Sequence, residues 1–196
     1  MSTQSRAVGA LLGVGGGVVG LMAMQAIKGA TQRALSTDAG AGRPEPPSFV
    51  RPRHRRGEDA TEALGRLLFT RAAGREPGGR EKELIGSAVH WGYGLAMAAG
   101  YGMLRGPRRR PMADLLGGAL FGAGLWGLSD ELAVPLLGLG DRPGAVPART
   151  HAQALVGHLG YGVATAATIQ GLCRVADGLN ARRNHVSLRE RLGARS

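Results

Sequence analysis

The chain has 196 residues, of which 34 are Gly, three are Phe, three are Tyr and two are Trp, and its formal net charge is +11. This Gly content is more than twice the average of about 7%, and no Gly-X-Y period indicates collagen. The mean hydropathy is −0.07, but the charges lie in blocks separated by long uncharged runs, a pattern typical of membrane proteins. The composition therefore argues against a soluble domain.

Four apolar runs are long enough to cross a hydrocarbon core of about 30 Å. They predict an all-α integral membrane protein with four transmembrane helices. A cleaved signal peptide is the alternative for the first run, but this run exceeds the usual apolar region of about 7 to 15 residues, so we expect a retained anchor. The predicted organisation is an N-terminal helix (1–28), a loop (29–83), a three-helix membrane region (84–173, with helices at 84–104, 112–139 and 152–173) and a basic tail (174–196).

Arginine clusters predict the orientation of the helices. One cluster lies at 105–110 and six Arg follow Cys173, which places both segments, and hence both termini, in the cytoplasm. The loops at 29–83 and 141–151 are then on the outer side. No aromatic residues alternate with the basic ones, so anionic lipid headgroups rather than nucleic acid are the expected partners of the Arg clusters.

The first outer loop divides into two parts. Residues 40–57 are rich in Pro and Arg and predict an extended segment. Asp59 and Glu62 resemble a capping box, and a short amphipathic helix is predicted at about 59–72, lying at the membrane interface. Its expected apolar face consists of Ala60, Leu64, Leu67 and Leu68.

An internal repeat relates the two halves of the chain. Residues 90–99 read HWGYGLAMAA and residues 158–167 read HLGYGVATAA, while GALLGVG at 9–15 resembles GALFGAG at 118–124. Two repeated helical hairpins are therefore predicted, with a pseudo-twofold axis along the membrane normal. The second and fourth helices would be parallel and would carry His90 and His158 at the same depth.

Small residues recur along the predicted helices at a spacing that brings them to one face. Such faces let helix backbones approach closely in a membrane. The predicted helix-packing positions are Gly9, Gly13, Gly17, Gly92, Gly100, Gly118 and Gly122. The single Cys excludes an intramolecular disulfide, and no spacing of His or Cys residues indicates a metal site.

His90 and His158 are candidates for three roles. They could form interhelical hydrogen bonds, handle protons, or bind a haem b as paired axial ligands. Tyr93 and Tyr161 follow them at a spacing of three residues, which puts each pair on one helix face and favours a repeated structural contact between His and Tyr.

Asp130 and Glu131 are further proton-handling candidates, because carboxylates within a membrane are costly and commonly functional. A helix beginning near Met112 places them about 26 Å along its axis, close to the outer interface. Pro135 should kink or end this helix.

The second half resembles the YagU-like family of small bacterial inner-membrane proteins. The resemblance covers about residues 84–165 and rests on AAGYG, on GGALFGAG followed by PLLGL, and on GHLGYG. Its matched positions include Pro135, Gly138, Leu139 and His158. The resemblance implies a multi-pass protein of the bacterial inner membrane with an early helix, a long outer loop and three later helices, and it implies no established activity.

These features favour a non-enzymatic membrane protein acting in envelope homeostasis or acid tolerance through its titratable groups. No Ser-His-Asp arrangement or phosphate-binding loop indicates an enzyme. One alternative is a b-type haem subunit with His90 and His158 as ligands. Another is an accessory subunit of a larger membrane complex, and Gly-rich faces are also compatible with a homo-oligomer.

Overall fold

The computed structural model describes residues 3–35, 51–105 and 111–193. Every regular element in these ranges is helical, so the predicted all-α fold class is confirmed. Most of the predicted extended segment at 40–57 lies outside the described residues. The elements are α1 (Thr3–Leu35), α2 (Ala60–Ala73), α3 (Gly79–Arg105), α4 (Pro111–Leu125), a π-helix (Trp126–Ala133), α5 (Val134–Leu136), a 3-10 turn (Pro143–Ala145) and α6 (Ala148–Gly193).

Helix α1 lies between α3 and α6 and packs on both through glycine. A Cβ atom on Gly9 would lie 2.6 Å from the carbonyl oxygen of Gly102 in α3, and one on Gly16 would lie 2.8 Å from that of Thr165 in α6. Later positions of α1 meet earlier positions of each partner, so α1 is antiparallel to both. Its second glycine row, Gly16 and Gly20, was not among the predicted packing positions.

Helix α4 packs antiparallel on α6, and the two hairpins have different registers. Gly118 is the counterpart of Gly9 in the repeat, and Gln170 is the counterpart of Gly102. A Cβ atom on Gly118 would lie 2.5 Å from the carbonyl oxygen of Gly162, two turns before Gln170. The sequence repeat is therefore not accompanied by an equivalent helix contact.

The prediction that Gly92 and Gly100 pack against another helix is wrong. A Cβ atom at either position would have no neighbour within 4 Å. The face of α3 that contacts α1 consists instead of Gly94, Ala98 and Gly102. Residues four apart share a helix face. Gly92 and Gly100 are offset by two positions from Gly94, Ala98 and Gly102, so they lie on a face that points away from the contact.

The predicted third and fourth helices differ from the observed ones at their ends. The third ends at Leu136 rather than at residue 139, because Pro135 lacks a backbone N–H and Gly138 has a φ of +69°. The fourth continues through the predicted tail to Gly193, because residues 174–193 contain no Pro and many good helix formers.

Helix α2 packs on the beginning of α3 through residues outside the predicted apolar face, whereas Ala60 and Leu64 of that face line a cavity of the bundle. A Cβ atom on Gly65 would lie 2.7 Å from the Ile85 side chain, and Ala63 and Arg66 are buried. Leu68, expected on the apolar face, is exposed. The contact with α3 is formed by small residues, so apolar periodicity did not identify it.

Two helical segments, Ser5–Arg33 and Pro111–Leu136, are long and apolar enough to cross a membrane by length and composition. The other two predicted spans lie within α3 and α6. Neither of these two spans meets the same criterion, because their Gly, His, Tyr, Thr and Gln residues lower the mean hydropathy.

Candidate functional site

Two adjoining cavities lie at the end of the bundle that α2 covers. The deeper one, the inner cavity, has a volume of about 430 Å³, and the outer one, the vestibule, has a volume of about 550 Å³. The vestibule is lined mainly by polar side chains, including Gln25, Glu83, Ser87 and Gln153. Both cavities are lined by Lys28, Asp59, Thr61 and His90.

The inner cavity has largely apolar walls. Leu21, Met24, Leu125 and Leu139 are buried and line it. Leu21 and Tyr161 are 2% and 1% exposed, and the Tyr161 hydroxyl donates a hydrogen bond of 2.5 Å to the Gly94 carbonyl oxygen. This bond ties α6 to α3 below the cavity.

Three of the four predicted proton-handling residues line the inner cavity, namely His90, Asp130 and His158. The Nδ1 atom of His158 donates to the Ala154 carbonyl oxygen at 2.9 Å. An Asp130 carboxylate oxygen lies 3.8 Å from the same nitrogen, which is too far for a hydrogen bond. The buried Nε2 atom of His90 has no hydrogen-bond partner among the described residues.

The expected contact between His and Tyr within each repeat copy is not formed in the described part of the chain. The Tyr93 hydroxyl instead shares a hydrogen bond of 2.6 Å with Ser129, and the Tyr161 hydroxyl bonds the Gly94 carbonyl oxygen. In a helix, each tyrosine shares a face with the histidine three positions before it, but the long phenol reaches a neighbouring helix instead.

The two acidic side chains of the π-helix have different surroundings. Asp130 lines the inner cavity, whereas Glu131 is paired with His151 at the start of α6, with 2.5 Å between its carboxylate oxygen and Nδ1. The Nε2 atom of His151 lies 3.0 Å from the Pro143 carbonyl oxygen. The hydrogen bond to Glu131 raises the pKa of His151 above its ordinary value. Such π-helical turns commonly occur at functional sites.

The segment before α2 covers the cavity end of the bundle. The backbone N–H groups of Arg53 and His54 donate to the Gly138 carbonyl oxygen at 2.7 and 3.0 Å. Asp59 caps α2 by accepting from the backbone N–H of Glu62 at 2.8 Å, as the capping-box pattern suggests. These bonds join the first loop to the end of the third predicted span.

A buried ion pair stabilises this covering segment. The Glu58 side chain is 1% exposed, and its carboxylate lies 2.7 Å from the Arg66 Nε atom. The Arg66 hydrogen bonds lower the pKa of Glu58 to about 2. Lys82 of α3 lies 3.5 Å from the same carboxylate, so the pair connects the loop, α2 and α3.

At the opposite end of the bundle, the first residue of the predicted Arg cluster is not available to lipid headgroups. Arg105 forms a buried ion pair with Asp114 of α4. Gln170 of α6 donates to the same carboxylate at 3.0 Å. The remaining Arg residues of this cluster, at 108–110, lie outside the described residues.

Sequence reasoning missed several side chains of the site, including Lys28, Ser129 and His151. Lys28 was treated only as the charged end of the first apolar run. His151 lies outside the repeated motif, and its partner Glu131 is twenty residues away, so no local spacing connects them. Among residues 3–35, 51–105 and 111–193, no group of three His, Cys, Asp or Glu side chains could hold a metal ion.

Comparisons with protein-family models, with curated proteins and with solved structures give no match.

Proposed function

We propose that the chain is a multi-pass membrane protein with four transmembrane helices, arranged as two related hairpins with both termini in the cytoplasm. The support is the packing along α1. Gly102, Ala98 and Gly94 of α3 contact successive turns of α1 from Gly9 to Leu21, and α6 packs along the other glycine face. A helix packed along the length of a spanning helix lies at the same depth.

Burial supports membrane insertion over a soluble bundle. In the apolar segment Pro111–Leu136, the most apolar stretch is only 17% buried, whereas the core helix of a soluble protein is mostly buried. Leu116 and Leu120 are among its strongly exposed residues. The first helix is proposed to be retained because Leu21 and Met24 are buried in the bundle core.

A location in the bacterial inner membrane follows from the proposed relation to the YagU-like family. The PLLGL segment is part of the sequence resemblance on which this proposal rests. Pro135 ends the helix, Gly138 adopts positive φ, and Leu139 lines the inner cavity. The exposed Arg174 and the remaining basic residues of the tail are proposed to contact anionic headgroups.

Within this architecture, the proposed function is non-enzymatic sensing of protons from the outer side, in envelope homeostasis such as acid tolerance. The observation that carries it is the convergence of His90, Asp130 and His158, from three helical elements, on one cavity. Histidine changes charge between about pH 5 and 8. Leu21 and Tyr161 line this cavity and are almost fully buried, which favours sensing over conduction of protons across the bilayer.

The test compares amide hydrogen exchange of the purified protein at pH 5 and pH 7.5, after correction for the intrinsic pH dependence of exchange. The wild-type protein should show a pH-dependent change in protection around residues 88–94 and 129–139. The double variant His90→Ala, His158→Ala should lose this change, and cells expressing it should lose acid survival.

His54→Ala is the control at the same end of the bundle. His54 lines neither cavity, but its Nδ1 atom lies 3.3 Å from the Gly138 carbonyl oxygen, so the control is read at residues 88–94. This variant should keep the pH response of that segment. An unchanged response in the double variant, in both exchange and acid survival, would refute proton sensing at this cavity.

A b-type haem subunit is the second candidate, because His90 and His158 line one cavity and the His90 Nε2 atom has no hydrogen-bond partner among the described residues. A reduced-minus-oxidised absorption spectrum of protein purified in mild detergent tests it. A b-type band that disappears in His90→Ala would establish ligation, and a featureless spectrum would exclude it.

A further inference from the structure

We propose that the inner cavity is a binding site for a neutral amphiphile of the quinone class, with its carbonyl head at Lys28 and His90 and its apolar body against Leu21, Leu125 and Leu139. The proposal concerns ligand binding and does not rest on proton sensing. It combines the shape of the two cavities with the hydrogen-bonding capacity at their junction.

The size and lining of the inner cavity suit a compact apolar body. Its volume of about 430 Å³ lies within the range of about 300 to 1,000 Å³ of small-molecule sites, which are mostly apolar with a few polar groups. Two of its polar groups are already engaged, since Tyr93 bonds Ser129 and Tyr161 bonds the Gly94 carbonyl oxygen. Lys28, Asp59, Thr61 and His90 also line the vestibule, whereas Asp130 and His158 line the inner cavity alone.

Two free hydrogen-bonding groups lie where the cavities meet. The ammonium group of Lys28 forms no hydrogen bond or salt bridge with the described residues, although it interacts electrostatically with Asp130 and His90, and its side chain runs beside Gly157 of α6. The buried His90 Nε2 atom also lacks a partner there. An ammonium group only donates hydrogen bonds, and neutral imidazole can donate through Nε2. The junction therefore fits a head with acceptor oxygens.

The neighbouring carboxylates determine the charge of the ligand. Asp59 and Asp130 line the same cavity as Lys28. Lys28 would attract a negatively charged head, but the two carboxylates would repel it, so the three groups together disfavour a further negative charge. A carbonyl oxygen accepts from Lys28 and His90 without adding charge. This argument favours a quinone over a fatty acid, although both carry acceptor oxygens on an apolar body.

Equilibrium dialysis of the purified full chain in mild detergent tests the proposal. The probe is 2-methyl-1,4-naphthoquinone with one isoprenoid unit, and dodecanoate is the anionic comparison. We expect saturable binding of one quinone per chain and at least tenfold weaker binding of dodecanoate. Lys28→Met should weaken quinone binding about tenfold, as expected for loss of one charged hydrogen bond.

Val89→Phe and Ala88→Phe form the matched pair. Val89 lines the inner cavity, whereas Ala88 is exposed on the neighbouring face of α3. The first should abolish quinone binding and the second should leave it unchanged, with circular dichroism and melting temperature reporting folding. Leu64→Trp fills the cavity from α2 and should reproduce the loss if Val89→Phe fails to fold.

Preferential binding of dodecanoate would overturn the proposal. So would quinone uptake that does not saturate, or that is equal in Val89→Phe, Leu64→Trp and Ala88→Phe, since this would be partition into detergent. Quinone binding that persists in His158→Ala, together with a lost pH response, would separate this site from the proposed sensor, whereas His90→Ala should weaken quinone binding. A pH response without quinone binding would leave only the sensor.

Discussion

Gly138 occupies a position that other residues cannot adopt without strain. Its φ is +69°, in the left-handed region that costs L-residues about 1 to 2 kcal/mol. A Cβ atom there would lie 2.6 Å from the carbonyl oxygen of Arg51. The same residue accepts the hydrogen bonds of Arg53 and His54, so local strain would spread to the segment that covers the cavities.

Gly138→Ala should therefore lower the free energy of unfolding by about 2 kcal/mol. The measurement is thermal unfolding in detergent, followed by circular dichroism. Gly144→Ala is the control, because Gly144 has no positive φ and a Cβ atom there would meet nothing within 4 Å. Equal melting temperatures of the two variants would contradict the strain at Gly138.

Glu58 should make the fold sensitive to acid. Its ordinary pKa is 4.5 and its pKa in the folded chain is about 2, so the folded state favours the ionised carboxylate. This stabilisation is present above about pH 4.5 and is lost as the pH falls toward 2. The shift corresponds to at most about 3 kcal/mol. Urea titrations between pH 6 and 3 should show this loss, and Glu58→Gln should remove most of it.

The exposed pair of Arg55 and Glu76 provides the comparison for Glu58. Its two side chains are more than half exposed, and surface ion pairs contribute little to stability. Glu76→Gln should leave the slope of stability against pH nearly unchanged. If it changed that slope as much as Glu58→Gln did, burial would not be the cause of the acid sensitivity.

At the scale of the helices, the glycine contacts predict a sharp difference between neighbouring positions. A Cβ atom on Gly13 would overlap the Ala98 carbonyl oxygen, so Gly13→Ala should destabilise the fold by about 2 kcal/mol through overpacking. Gly92→Ala should be neutral or stabilising by about 0.5 to 1 kcal/mol, since Ala is the better helix former. Unfolding in denaturing detergent measures both, and a costly Gly92→Ala would place that face in a contact.

The pair of Glu131 and His151 should weaken with rising pH. The pKa of His151 is raised above 6.5, so its stabilising contribution is complete below pH 6.5 and is lost as the pH rises through the raised pKa. Hydrogen exchange corrected for its intrinsic pH dependence should show loss of protection at residues 131–137 and 143–151 over this range. His151→Gln should show low protection at every pH, and a wild-type-like pH dependence in this variant would assign the change to another group.

The helices could be predicted from the sequence, but several of their contacts could not. Long uncharged runs indicated the helices, and Pro135 indicated one helix end. Both signals are local, since hydropathy depends on the run itself and proline lacks its own backbone N–H. Spacing alone could not show which small residues of α3 contact α1, so Gly92 and Gly100 were predicted there instead of Gly94 and Gly102. Gly or Ala at every second position from 92 to 102 supplies two possible faces of α3, and only the partner helix selects Gly94 and Gly102.

At the scale of the whole molecule, the proposed topology predicts which residues a membrane-impermeant maleimide reaches. In a Cys173→Ser background, single cysteines at the exposed positions Arg56 and Gly144 should be labelled in intact cells. A cysteine at Leu179 should be labelled only after lysis. Labelling only of the cysteine at position 179 in intact cells would indicate the opposite orientation. Labelling of all three cysteines in intact cells would contradict four crossings.

The cavity could not be predicted from local sequence patterns, because its lining residues come together only in the folded chain. The repeat suggested His90 and His158 as a pair, and the membrane argument selected Asp130. Lys28 and Asp59 join them only because α1, α2 and α3 meet at one end of the bundle. The π-helix was equally hidden, since its sequence WGLSDELA has no feature that distinguishes it from an α-helix. Within the π-helix, Asp130 lines the cavity, whereas its neighbour Glu131 is paired with His151.

The central position of α1 has a consequence for the order of assembly during synthesis. Its two glycine faces are covered by α3 and by α6, the first and last long helices to follow it. The contact with α6 joins Gly16 to Thr165, so much of the folding free energy depends on a pairing of high contact order. A nascent chain would hold a half-covered first helix until α6 has been synthesised. Truncation before α6 would therefore expose this glycine face to quality-control proteases.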